Sequence, residues 1–104
     1  MQNTTARKPS LEMRAVLHIV NADPEMQRLA LRHIDQERER IDWKGIWNQD
    51  CCGGFAAAML WVQAIWCDRV ETKGDPFDRA FAMDFHLQKA VIEALAMRWG
   101  LIKC

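Results

Sequence analysis

The chain has 104 residues, half of them apolar, with fourteen Lys and Arg against fourteen Asp and Glu. That length holds one domain around one hydrophobic core, and this apolar content lies well outside the disordered class. Charge is balanced in each half too, seven basic against six acidic residues through Ile41 and seven against eight beyond it, which argues against binding nucleic acid or an anionic membrane through net basic charge.

The opening stretch MQNTTARKPSLEMRAV has no apolar run of the kind a signal peptide needs, so a reducing cytoplasm is expected, with the four cysteines as free thiols. Residues 1–9 read as a flexible polar arm, and residues 10–104 as a single domain. Ser10 is a candidate N-cap, after which Met13, Val16, Leu17 and Val20 recur with helical spacing. Asp23, Pro24 and Glu25 restart a helix: Asp caps the free N–H groups, Pro fits the first helical position, and Glu suits the positive dipole end. Met26, Leu29, Ala30, His33, Ile34 and Ile41 are expected on its inner face. RHIDQERER is then its solvated outer side. Asp42 is a further cap, opening a short turn that presents Trp43, Ile46 and Trp47.

From Phe55 to Cys67 the one conventionally polar residue is Gln63, and alanines at 56, 57, 58 and 64 favour helix. Roughly 13 to 16 residues at about 1.5 Å each give about 20 to 24 Å, short of the 30 Å hydrocarbon layer of a membrane. A helix apolar all round is buried all round. Residues 55–70 are therefore expected as the central helix, with Leu60, Trp61, Ile65 and Trp66 in the core. Gly53 and Gly54 are expected to let backbones approach closely. Asp75 and Pro76 begin a short helix to about Ala82, with Phe77 and Phe81 facing inward. Asp84 caps a last helix whose face carries Leu87, Val91, Ala94, Leu95 and Trp99, closed by Gly100. No segment alternates with a period of two, so the expected fold is all-α, a compact bundle of four to five helices.

Cys51, Cys52, Cys67 and Cys104 with His18, His33 and His86 are numerous enough to hold zinc, but none has metal-site spacing. Cys52 stands in the right local place for a nucleophile, yet no base can be named beside it. His86 lies two residues after Asp84, a spacing at which helical side chains do not face each other. No cofactor, metal or catalytic residue is expected.

The segments IDWKGIWNQDCCGGFAAAMLWVQAIW and DPFDRAFAMDFHLQKAVIEALAMRWG resemble small helical proteins carried by phages, plasmids and other mobile elements. In these, a Trp-rich segment and a Gly-Gly helix start precede a final Asp-capped helix. The resemblance implies an accessory protein that binds and blocks a host defence component, as anti-CRISPR proteins do, and it supplies no catalytic residues. Two function classes follow. One is a non-enzymatic interaction module, a homodimer or the ligand of a host protein, with Trp43, Trp47, Trp61 and Trp99 as the expected interface. The other is a helix-turn-helix regulator built on HIVNADPEMQRLALRH, with Arg28 and Arg32 on phosphates.

Overall fold

A computed structural model describes residues 10–49, 53–67 and 75–102. The expected arm at 1–9 and the residues Cys51, Cys52 and Cys104 lie outside them. Five α-helices, α1 (Leu11–Val20), α2 (Pro24–Ala30), α3 (Trp43–Trp47), α4 (Gly53–Cys67) and α5 (Phe85–Arg98), make up most of the fold. Two 3₁₀ segments (Leu31–His33 and Pro76–Ala82) and a two-stranded ribbon of β1 (Ile34–Asp35) and β2 (Arg40–Ile41) complete it. The fold is an all-α bundle, as its periodicities require.

The helix starts fall where the short polar residues stand. Ser10 Oγ accepts from the Met13 N–H at 3.1 Å, and the Asp23 carboxylate accepts from the Glu25 and Met26 N–H groups. Asp42 accepts from the Gly45 N–H and Asp75 from the Phe77 N–H. Each satisfies a donor that the first helical turn leaves orphaned. Asp84 occupies the N-cap position of α5, but its side chain makes no capping bond. Gly100, at φ 75°, ends α5 in the left-handed conformation that glycine adopts without strain.

The core joins Met13, Val16 and Ile19 of α1 to Met26 and Leu29 of α2, Ile46 of α3, Phe55, Met59 and Val62 of α4, and Leu87, Val91 and Ala94 of α5. α5 packs chiefly along α1, and α4 lies against α1, α5 and the segment Pro76–Ala82. Ala15 and Ala94 are fully enclosed. The core also holds the flexible side chains of Met13, Met26, Met59 and Met83, which fill irregular gaps between helices.

Four sequence expectations are corrected. The helix begun at Asp23 stops at Ala30 instead of running to Ile41. The chain tightens into a 3₁₀ turn and folds back, so that Ile34 and Ile41 become cross-strand partners. Seven residues apart, the two isoleucines fit one helix face equally well, which is why periodicity could not separate helix from hairpin. The reversal is made by Glu39 at φ 53°, by the Asp35 carboxylate accepting the Arg38 N–H, and by the Glu39 carboxylate accepting the Ser10 N–H at 2.8 Å.

Phe77 and Phe81 face outward, not inward. Four residues apart, they share a face at 3.6 residues per turn, which is why the spacing suggests a common inner face, but the segment winds as a 3₁₀ helix whose inward places fall to other residues. In this 3₁₀ segment it is Pro76 that is buried and Ala80 that packs on the core.

Within α4, Leu60 and Ile65 are buried, whereas Trp61 and Trp66 are half-buried and pack against the core from its edge. The helix is not enclosed all round: Trp61 and Ala64 share a side that reaches the surface. Gln63, its polar residue, is buried.

Gly53 makes no close approach, since a Cβ there would meet nothing within 4 Å. Gly45 does, because a Cβ there would lie 2.6 Å from the His33 ring and overlap the Asp42 carboxylate. His33 and Asp42, paired at 3.5 Å, occupy the space that the missing side chain leaves.

Candidate interaction surface

α5 carries apolar residues on two opposite sides. Leu87, Ala90, Val91, Ala94 and Met97 are buried. Phe85, Ile92 and Trp99, at 79, 69 and 65% exposure, follow one another at intervals of seven. Seven residues turn a helix by about 700°, so the three stay within roughly 40° of one another, on the side opposite Ala90 and Ala94.

The rotation of α5 that turns this stripe outward buries Leu87, Ala90, Val91, Ala94 and Met97, and polar contacts accompany it along the helix. In its first turn the His86 ring N–H donates to the Asp23 carboxylate at 2.9 Å, at its middle His18 of α1 donates to Glu93 at 2.8 Å, and in its last turn Arg98 pairs with Glu12 at 3.3 Å. The bond from His86 holds the Asp23 carboxyl below its ordinary range, helped by the Met26 and Glu25 N–H groups and opposed by partial desolvation. Glu93 is likewise lowered, first by its hydrogen bond from His18.

The stripe continues onto neighbouring elements. Phe77 meets the edge of Trp61 in a T-shaped contact with ring centroids 4.8 Å apart, a favoured arrangement for aromatic quadrupoles. Trp61, Ala64 and Ile65 of α4 then line a notch of about 110 Å³ with Leu95, Arg98 and Trp99. The Trp61 indole N–H is buried there without a hydrogen-bond partner among the described residues. Beside the first turns of α5, the Gln88 amide donates to the Ala80 carbonyl at 3.1 Å, placing the 3₁₀ segment that carries Phe81 along the stripe's flank. Leu101 and Ile102, just past α5, are exposed as well.

Of the four tryptophans expected at an interface, Trp61 and Trp99 come together at the notch. Trp43 and Trp47, at the two ends of α3, are half-buried against the core. Phe77, Phe81, Phe85, Ile92, Leu101 and Ile102 were not expected on the surface. The spacing of 85, 92 and 99 was visible in the sequence but was hidden by the second apolar face on the same helix.

Elsewhere the surface is mixed in charge. An open cleft of about 590 Å³ at the β-ribbon is lined by Arg32, Arg40 and His33 together with Asp35, Glu37 and Asp42. In the candidate helix-turn-helix, Arg28 pairs with Glu25 at 2.7 Å and Arg32 with Gln49, while α2 is only seven residues long. Among the described residues no three His, Cys, Asp or Glu side chains converge on one point, and no helix is long and apolar enough to cross a membrane. No protein-family model, curated protein or solved structure matches the chain.

Proposed function

We propose that this protein is a non-enzymatic interaction module that works by occupying the surface of another protein. One observation carries the reading: of the eight large apolar side chains exposed among the described residues, seven lie between Phe77 and Ile102. Scattered exposed apolar groups are ordinary, whereas a contiguous patch larger than a few hundred Å² marks a site of association. Its Trp and Phe side chains are of the kind in which binding energy concentrates. The resemblance to mobile-element accessory proteins directs the search for a partner to host defence proteins, which binding would block.

The test is affinity capture from the native host with the wild type and with a Phe81→Ser/Trp99→Ser variant. Both positions are exposed, so the variant is expected to keep the wild-type melting curve and to lose the captured protein. A host protein retained equally by both would remove this surface from the reading.

A further inference from the structure

We draw no further inference here: the strongest candidate, the exposed face of α5 formed by Phe85, Ile92 and Trp99 with the adjoining notch at Trp61, is an unpartnered apolar surface, and nothing in the structure shows what covers it.

Discussion

α4 and α5 are nearly equal in length, fifteen and fourteen residues, and both carry more apolar side chains than one helix face holds. They dispose of the excess differently. α4 is packed by α1, α5 and the 3₁₀ segment Pro76–Ala82, which leaves Trp61 and Ala64 at its edge. α5 buries one face and is held there by His86–Asp23, His18–Glu93 and Arg98–Glu12, leaving a second apolar stripe outside. A helix can therefore be apolar because it is central or because it serves two interfaces. What separates the cases is the placing of polar residues: α4 has a single buried Gln63, whereas α5 has His86, Glu93 and Arg98 on the borders of its core face.

The largest effect is expected where α4 is enclosed. Ile65→Asp sets an unpaired charge in the core, at a cost of several kcal/mol against a total stability of about 5–15. Loss of the cooperative melt in circular dichroism is the expected result, and a variant that still melts cooperatively would break the contrast between the helices.

On the buried side of α5, Ala94→Leu forces three extra heavy atoms into the contact with α1. Overpacking of this kind costs about 1–3 kcal/mol. Each kcal/mol lowers the melting temperature of a domain this size by about 4–8 °C, so calorimetry resolves the change.

The polar borders of α5 give a smaller, pH-dependent effect. The carboxyls of Asp23 and Glu93 are both lowered in the folded chain, so what their pairs contribute is complete above the unfolded values of about 4 and is lost as pH falls through the folded values below that. Melting temperatures from pH 7 to pH 2 should fall more steeply below about pH 4 for the wild type than for Asp23→Asn/Glu93→Gln. Identical profiles would show that the pairs do not fix α5. Both partners are partly exposed, which keeps the difference to a few degrees.

The smallest effect on folding is expected on the outer side of α5. Ile92→Glu should leave the stability of the single chain within about 0.5 kcal/mol, measured by urea unfolding at low micromolar concentration. A cost comparable to that at Ala94 would mean that the stripe supports the fold and is not a free face.

Much of this was legible in the chain itself. Ser10, Asp23, Asp42 and Asp75 mark helix starts because a short polar side chain satisfies orphaned N–H groups with no help from elsewhere in the fold, and Gly100 marks an end because a positive φ is a local demand. The apolar run of α4 announced a core helix on length alone. Pairing and rotation were decided by tertiary structure. Ile34 and Ile41 became ribbon partners because Glu39 and Asp35 close the chain between them. Phe77 and Phe81 turned outward because Pro76 and Ala80 of the same 3₁₀ segment take the places against the core. Gly45, not Gly53, carries the close approach, since only the fold brings His33 and Asp42 to it. The stripe at 85, 92 and 99 was written in the spacing, but a helix with two apolar sides has two equivalent orientations in sequence, and the choice between them rests on contacts with α1 and the start of α2, far away along the chain.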